Sequence, residues 1–539
     1  MTSARRSRAY LAVCICLTLA TVLTSQAAVE DAAAPQNKSI RKADMKADML
    51  FFTSDSLNGR KNGTHDTDVA AEFIKARLDR MGLKGAGPGG SFFQPFNLMA
   101  ASLGPDNRLE IAFGDGLTMR LHPGQDYYPL KFSAGGTARG PIAYAGFGVR
   151  TADYGSSLKG YIVLVLDHEP GEFDPQSPFD GVVRSEASSP LRKALLAQEK
   201  GAVGILFVQD VHNHPGPVNF EALAKSAWPD EQTRSDWLSL ADWVDKLHIP
   251  AAQISPSLAE TLVQGSGRKF LDLAKAAETA NGMTPVSLTG PIAELTVSVD
   301  RHPVPTKNVV AMIEGSDPAL KNECVIVCAH HDHLGVENGE IMPGADDNIS
   351  GVVAVMDIAE AYALAAQEGR RPKRSVLFAS WDAEESGLLG AWAYTEHPLL
   401  PLDKTLALLN MDMIGRNEEI PAGDDWRYRG LDVQTAEANG NTLNVLGLSR
   451  FPELKTPLDK ANAAFGLDLK MKIDNNVSNL LRRSDHWPFM QRGVPALWFL
   501  TGIHPTYHTP MDRPDRINWD KLERVARMVH EMSWDIANR

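Results

Sequence analysis

Side chains of the types that bind metal ions follow four predicted β-strands, each at the point where the strand ends. They are His330 and Asp332 after the apolar residues 325–329, Glu384 and Glu385 after SVLFASW, Asp412 in LLNMDMIG, and Tyr507 and His508 after PALWFLTG. In open α/β sheets the ligand crevice lies outside the carboxyl ends of the strands. The repeated placement therefore predicts one site, built at a single edge of a sheet.

The donor types in this set favour two divalent ions. Two imidazoles with three or four carboxylates and no thiolate suit zinc, cobalt or nickel better than magnesium or calcium. One carboxylate must then bridge the two ions. Asp346 is the predicted bridge, because it opens the tight turn that follows Pro343-Gly344.

The neighbouring pair Glu384-Glu385 predicts different roles for its two carboxylates. Adjacent side chains diverge, so Glu385 can bind metal while Glu384 faces the substrate and acts as a general acid and base. Taken alone, such a pair is typical of a solvated helix start. Residues two apart on a strand point the same way, so Asp332 can share a face with His330 and orient its imidazole.

The elements that must position these residues form two units. From Thr306 onward strands alternate with helices, which predicts an α/β fold with a mostly parallel, helix-covered sheet. Another α/β pattern interrupts the chain before it, and we interpret it as an inserted smaller unit. The predicted organisation is a signal peptide at 1–27, a linker at 28–42, the first part of the catalytic domain at 43–130, the insert at 131–290, and the main catalytic domain at 291–539.

The first residues predict export. Arg5, Arg6 and Arg8 precede an apolar run at 9–23, and Ser25-Gln26-Ala27 is a small-x-small cleavage signal. We expect cleavage after Ala27 and a periplasmic or extracellular protein, with an uncleaved signal anchor as the alternative.

The net charge argues against two kinds of partner, and the spacing of two cysteines argues against a disulfide. The formal net charge of −13 argues against a nucleic-acid partner and against a polybasic membrane anchor. Cys324 and Cys328 lie four residues apart on one predicted strand, roughly 13 Å, which is too far for a disulfide. We predict that both thiols are buried apolar residues.

Five motifs together resemble one enzyme family. AHHDHLG, PGADDNISG, WDAEESGLLG, NMDMIG and YHTPMDRPD occur in the order found in the co-catalytic di-zinc exopeptidases of the bacterial leucyl-aminopeptidase type, which include glutamate carboxypeptidase-like enzymes. The insert resembles a protease-associated domain. The resemblance implies two zinc ions, one held by His330 and Asp412 and the other by Glu385 and His508.

The same resemblance assigns roles to the remaining residues. Asp346 would bridge the ions, Asp347 would help to shape the Asp346 loop, and Asp332 would orient His330. Glu384 would be the acid/base group. Tyr507 would stabilise the tetrahedral oxyanion through its phenol.

We therefore expect a secreted, zinc-dependent aminopeptidase that removes N-terminal residues from peptides. A carboxypeptidase or dipeptidase on the same site is the first alternative, and arginines at the pocket mouth would favour it. Arg416, Arg482 and Arg483 keep this alternative open. Glutaminyl cyclase, which works with one catalytic zinc, and a non-catalytic binding protein are the further alternatives.

Overall fold

Two β-sheets organise the chain. The computed structural model describes residues 34–114, 116–229, 237–279, 282–423 and 425–539, so the predicted signal peptide lies outside the described residues. The strands, in chain order, are β1 (Lys84–Gly85), β2 (Phe93–Leu103), β3 (Arg108–Ala112), β4 (Thr118–Arg120), β5 (Tyr127–Pro129), β6 (Gly136–Tyr144), β7 (Ile162–Leu166), β8 (Gly204–Val208), β9 (Leu238–Leu240), β10 (Ala251–Ile254), β11 (Val286–Val297), β12 (Val299–Ile313), β13 (Cys324–His330), β14 (Gly335–Glu337), β15 (Glu340–Met342), β16 (Ser375–Trp381), β17 (Thr405–Met411), β18 (Thr442–Leu446), β19 (Asp468–Lys470) and β20 (Ala496–Leu500).

Helices cover the sheets. In chain order they are α1 (Lys42–Phe52), α2 (His65–Arg80), α3 (Pro190–Glu199), α4 (Phe220–Ala227), α5 (Ala241–Val244), α6 (Pro256–Gln264), α7 (Phe270–Ala277), α8 (Gly351–Gln367), α9 (Leu389–Glu396), α10 (Lys455–Asn462), α11 (His486–Met490) and α12 (Trp519–Asn538). The predicted helix GVVAVMDIAEAYALAAQ coincides with α8.

The larger sheet carries the predicted site residues. Its strand order is β19-β18-β20-β17-β13-β16-β12-β2-β9, with β1 beside β12. The four central strands β20, β17, β13 and β16 are parallel to one another, whereas β12, β2 and β9 pair antiparallel on one side. The predicted α/β class is confirmed, and the parallel arrangement is confined to the centre of a mixed sheet.

The smaller sheet lies between β2 and β12 in the chain. Its order is β4-β3-β11-β6-β7-β8-β10-β5, with β6, β7, β8 and β10 parallel. It therefore extends from Arg108 to Val297, beyond the predicted insert limits of 131–290 at both ends. The short strands β3 and β5 pair with the distant strands β11 and β10, a long-range pairing that a local sequence pattern does not contain.

The core of the larger sheet is apolar on both faces. Every residue of β13, β16 and β20 is buried, as expected for strands covered by helices on both sides. Cys324 and Cys328 are free and buried, as predicted. Among the described residues, the helical stretch Ala345–Gln367 is long and apolar enough to cross a membrane, but 83% of its apolar window is buried inside the protein. Core helices of this kind pass the same test.

One acidic group lies inside this core, and we predict a pH-dependent effect of its replacement. Asp357 of α8 is 3% exposed, and its carboxylate accepts a hydrogen bond from the backbone N–H of Arg41 at 3.4 Å. Burial raises the pKa of Asp357 to about 8. An unfolded aspartate releases its proton near pH 3.9, so the folded state is increasingly disfavoured as the pH rises from about 4 to about 8.

Asp357→Asn should remove this penalty. From pH 5 to pH 8.5 we expect the stability advantage of the variant to grow by roughly 2–4 kcal/mol, measured by denaturant unfolding at both pH values. Glu368→Gln, at the exposed C-terminal end of α8, is the control and should change stability by less than about 1 kcal/mol at either pH. An advantage of Asp357→Asn that does not depend on pH would contradict the expectation.

Candidate metal centre

The predicted site residues meet at the carboxyl edge of the parallel strands. His330 ends β13, Asp412 follows β17, and the loops after β16 and β20 carry Glu384-Glu385 and Tyr507-His508. The turn Ala345–Ser350, which leads into α8, supplies Asp346 and Asp347. The parallel pairing of β16, β13, β17 and β20 brings all these segments to one place.

The first cluster surrounds His330. Its Nε2 atom lies 3.3 Å from an Asp347 oxygen, 3.6 Å from an Asp412 oxygen and 3.7 Å from a Glu384 oxygen. All four side chains are buried. The His330 Nε2 and Asp412 Oδ1 atoms have no hydrogen-bond partner among the residues that the structure describes.

The second cluster surrounds His508. Its Nε2 atom lies 2.9 Å from Asp347 Oδ2 and 3.2 Å from Glu385 Oε2. The other Glu385 oxygen lies 2.6 Å from Nδ1 of His333. His333 was not among the predicted site residues, although it stands in the AHHDHLG motif.

Asp347, and not Asp346, joins the two clusters. One Asp347 oxygen faces His330 and the other faces His508. The carboxylate of Asp346 accepts a hydrogen bond from the Gly415 N–H at 2.6 Å and lies 3.2 Å from His504 Nε2. The structure therefore places Asp347, and not the predicted Asp346, between the clusters. The two side chains leave the turn in different directions, which a sequence with two adjacent aspartates does not reveal.

Asp332 fixes several neighbours at once. Its two oxygens accept hydrogen bonds from the backbone N–H groups of Glu384, at 3.1 Å, and Glu385, at 3.3 Å. Asp332 Oδ1 also lies 3.5 Å from Nδ1 of His330. This carboxylate thus sets the positions of both clusters. Asp382, which also follows β16, bonds to Thr306 and lies outside them.

Further buried residues support the two loops that carry Asp347 and His508. Asp512 accepts hydrogen bonds from the N–H groups of Asp346 and Asp347 at 3.0–3.1 Å. It stands in the motif YHTPMDRPD, four residues after His508, and this proximity was the available sequence signal. Arg60 is fully buried, and its guanidinium donates to the carbonyls of His331, Phe52, Pro343 and Gly344. Burial lowers the pKa of Arg60 to about 10.

The pKa values of the site residues reflect carboxyl groups that lie close together with little exposure to solvent. Burial raises the pKa of Glu384 well above its usual value, and the nearby Glu385 and Asp412 add to this effect. Burial alone would lower the pKa of His330, but Glu384 and Asp412 raise it well above its usual value. Such an excess of negative charge suits bound cations.

A cavity of about 260 Å³ opens onto the two clusters. Its lining includes Glu384, Leu388, Met413, Arg483 and Tyr507. The Tyr507 ring stacks on the His508 imidazole with 3.8 Å between the ring centroids. A peptide end can therefore reach both clusters from this cavity.

The three arginines named from the sequence differ in their surroundings. Arg482 lines the cavity, but its guanidinium bonds to the Arg184 carbonyl at 2.5 Å and to Glu186 at 3.0 Å, both in the insert. Arg416 bonds to Thr506 at 2.9 Å. Arg483 lines the cavity, and burial lowers the pKa of its guanidinium.

Part of the chain is similar to a known family of peptidases. Residues 308–533 match Peptidase family M28. We call residues 308–533 the M28 domain after this match. It contains all the residues of the two clusters.

Relatives of the M28 domain carry two kinds of name. A probable glutamate carboxypeptidase of Arabidopsis thaliana is 26% identical over 413 residues, which are 71% of this chain and 51% of the relative. Leucine aminopeptidase 2 of Trichophyton equinum is 28% identical over 260 residues, 48% of this chain and 42% of the relative. The chain thus spans about half, or less, of the length of these relatives.

A solved structure resembles the whole chain more loosely. An aminopeptidase from Aneurinibacillus sp. strain AM-1 aligns with 93% of this chain and 95% of its own, with a TM-score of 0.49 and 19% identity.

The hydroxyl of Ser484 supports a residue of the first cluster, which leads to a prediction for metal affinity. Its Oγ donates to Asp412 Oδ2 at 2.5 Å and accepts from Asn410 Nδ2 at 2.7 Å. Removal of a side chain that hydrogen-bonds to a metal ligand typically lowers metal affinity by about 10–100-fold. We expect Ser484→Ala to weaken zinc binding by about that factor, measured by competition with a chromophoric chelator. In the control Ser449→Ala, which removes a serine–aspartate bond to Asp474 elsewhere in the M28 domain, zinc affinity should not change.

Proposed function

We propose that the chain is a zinc-dependent aminopeptidase that removes N-terminal residues from peptides. The observation that carries the proposal is the position of Asp347 between two histidine–carboxylate clusters, with Glu384 beside them at the base of an open cavity. The match of residues 308–533 to Peptidase family M28 supports a peptide hydrolase.

The residues of both clusters fit two cations. His330 and Asp412 would hold one ion, Glu385 and His508 the other, and Asp347 both. The unpartnered buried atoms of His330, Asp412 and His508 support this assignment, and imidazole with carboxylate is a zinc-type donor set. When bound, the ions would supply Lewis acidity that polarises the peptide carbonyl and makes water acidic near neutral pH.

The protein's own groups would do the rest of the chemistry. Glu384 would take a proton from the attacking water and pass it to the leaving amine. Asp332 would hold the backbone of Glu384 and Glu385 in place through its two hydrogen bonds. Tyr507, in the cavity wall, would donate a hydrogen bond to the oxyanion that forms as water attacks.

The charges around the cavity favour an amino end over a carboxyl end. A carboxypeptidase must bind a terminal carboxylate, and Arg482, although it lines the cavity, is bonded to Glu186 and to the Arg184 carbonyl. Asp347, Glu385 and Asp412 would hold the ions and Glu384 would carry the proton, so it is the engagement of Arg482 that favours an amino end. Arg483 in the cavity wall supports the carboxypeptidase alternative.

Export is part of the proposal. The basic residues, apolar run and small-x-small site of residues 1–27 support cleavage after Ala27 and a periplasmic or extracellular location. We further propose that the inserted unit is a protease-associated domain, supported by its α/β pattern and its place in the chain between β2 and β12.

A peptide panel tests the proposal. The chain without residues 1–27 is freed of metal by chelation and assayed before and after zinc is restored. We expect peptides with a free amino end and an amidated carboxyl end to be cleaved from the amino end, and only with zinc.

N-acetylated peptides and peptides with an N-terminal glutamine distinguish the alternative functions. Cleavage of N-acetylated peptides from a free carboxyl end would replace the aminopeptidase by a carboxypeptidase. Cyclisation of an N-terminal glutamine without peptide cleavage would identify a glutaminyl cyclase. A zinc-loaded chain that converts no peptide of the panel would be a binding protein.

A further inference from the structure

A second group of metal-ligand side chains lies in the inserted unit. His168 follows β7, Glu172 lies four residues further along the same loop, and His214 lies in the loop after β8. Because β7 and β8 are neighbouring parallel strands, both loops leave the same edge of the smaller sheet. This is the placement that brings ligands together at strand ends.

The three side chains converge on one another. Nδ1 of His168 lies 2.8 Å from Glu172 Oε2, and Nε2 of His214 lies 2.7 Å from Glu172 Oε1. The three candidate ligand atoms lie within 4.8 Å of one another. Glu172 Oε1 and His214 Nε2 are buried atoms, yet they face each other without hydrogen-bond geometry. The structure thus aims two buried polar atoms at a common point.

Other residues hold both loops in this arrangement. The buried Lys193 donates to the carbonyls of Leu166 and His168 at 2.7 and 2.6 Å. Glu278 accepts from the Gly171 N–H at 2.9 Å and from the side chain of Asn213, so it ties the His168 loop to the His214 loop. The backbone of His168 has φ +63°, a conformation that non-glycine residues rarely adopt and that its surroundings must enforce.

The donor types indicate the class of ion. We propose that His168, Glu172 and His214 bind a divalent transition metal ion of the zinc class. Two imidazoles and one carboxylate form a known three-ligand zinc set that leaves a fourth position open. The side chains are 14–33% exposed and border a cavity of about 240 Å³, so an ion and a water molecule can enter. Magnesium and calcium prefer oxygen ligands and suit this set less well.

The site faces the M28 domain. The same cavity is lined by Arg184 of the insert and by Val477 and Asn479 of the M28 domain. The Arg184 N–H donates to Asn479 at 2.8 Å. A bound ion would therefore stabilise the insert beside the segment that continues into Leu480, Arg482 and Arg483 of the catalytic cavity.

Metal stoichiometry tests the proposal without any assay of activity. The metal-free chain without residues 1–27 is titrated with zinc alone, and the bound ions per chain are counted for the wild type, for His168→Ala/His214→Ala and for His212→Ala. We expect the double variant to bind one ion fewer than the wild type. His212→Ala, which changes a histidine in the same loop, should bind as many ions as the wild type.

A second measurement isolates the site from the catalytic clusters. In a His330→Ala/Asp347→Asn/His508→Ala background, zinc should still raise the melting temperature, and addition of Glu172→Gln should abolish this rise. Glu172→Gln keeps the side-chain shape and serves also if the double alanine variant fails to fold. Equal zinc stoichiometry in the wild type and the folded double variant, or an unchanged zinc response in Glu172→Gln, would show a hydrogen-bonded cluster without metal and overturn the proposal.

Discussion

Replacement of Glu384 by glutamine should lower kcat by about 10²–10⁴-fold and leave the metal content unchanged, because positioned acid/base groups typically contribute that factor. Glutamine keeps the size of the side chain but cannot take up a proton. The backbone position is held by Asp332 through the Glu384 N–H, so the substitution should not disturb Glu385. The measurement is kcat on a free-amine peptide at saturating zinc, with ions per chain counted on the same sample.

Glu340→Gln is the matched control. Glu340 is exposed in the β14–β15 hairpin, and its replacement should leave kcat within a factor of two. If Glu384→Gln retains kcat within tenfold of the wild type, Glu384 is not the acid/base group. If it loses zinc together with activity, Glu384 is instead a metal ligand beside His330 and Asp412.

Asp347→Asn should lower zinc affinity at the catalytic clusters by more than about 100-fold. Loss of a hydrogen-bond partner of a metal ligand typically lowers metal affinity by about 10–100-fold, and loss of a direct ligand should lower it further. Asp347 has one oxygen near His330 and the other near His508, so its loss affects both ions. Activity at limiting zinc should be lost. Zinc affinity is measured by chelator competition and activity by peptide cleavage over a range of zinc concentrations.

The adjacent Asp346 gives a stringent comparison. Its carboxylate bonds to the Gly415 N–H and lies beside His504, so Asp346→Asn should change zinc affinity by less than about tenfold. The opposite ranking, with Asp346→Asn losing zinc and Asp347→Asn retaining it, would restore Asp346 as the bridging ligand.

The part of the fold that could be predicted depends on local patterns. Buried strands such as β13 and β16 are continuous apolar runs, and α8 is an uninterrupted helical sequence, so each was identified from its own residues. Ligands of open α/β sheets bind outside the carboxyl ends of the strands, so the sequence also predicted five residues at one edge of the sheet: His330, Glu384, Glu385, Asp412 and His508. This prediction depends only on strand direction. The structure brings these five residues together at the centre of the larger sheet.

What sequence reasoning missed depends on side-chain direction and distant pairing. The choice between Asp346 and Asp347 is set by backbone torsions within one turn, and the contact of His333 with Glu385 depends on how the β13 loop folds back. Similarly, β3 was placed outside the insert because its partner β11 lies far away in the chain. His214 was not among the predicted site residues, since its neighbour His168 belongs to a different strand end.

The place where the insert leaves the larger sheet has a consequence for how the chain folds. Leu103 at the end of β2 pairs with Val299 at the start of β12, and the Gly104 N–H bonds to the Ser298 carbonyl at 3.0 Å. Every strand of the smaller sheet lies between β2 and β12 in the chain, so this sheet can form from contiguous chain during synthesis, and once formed it holds its two ends side by side. This closes the long loop between β2 and β12 before their ladder forms, and so removes most of the entropic cost of that pairing. We expect β12 to join β2 only after the smaller sheet is complete.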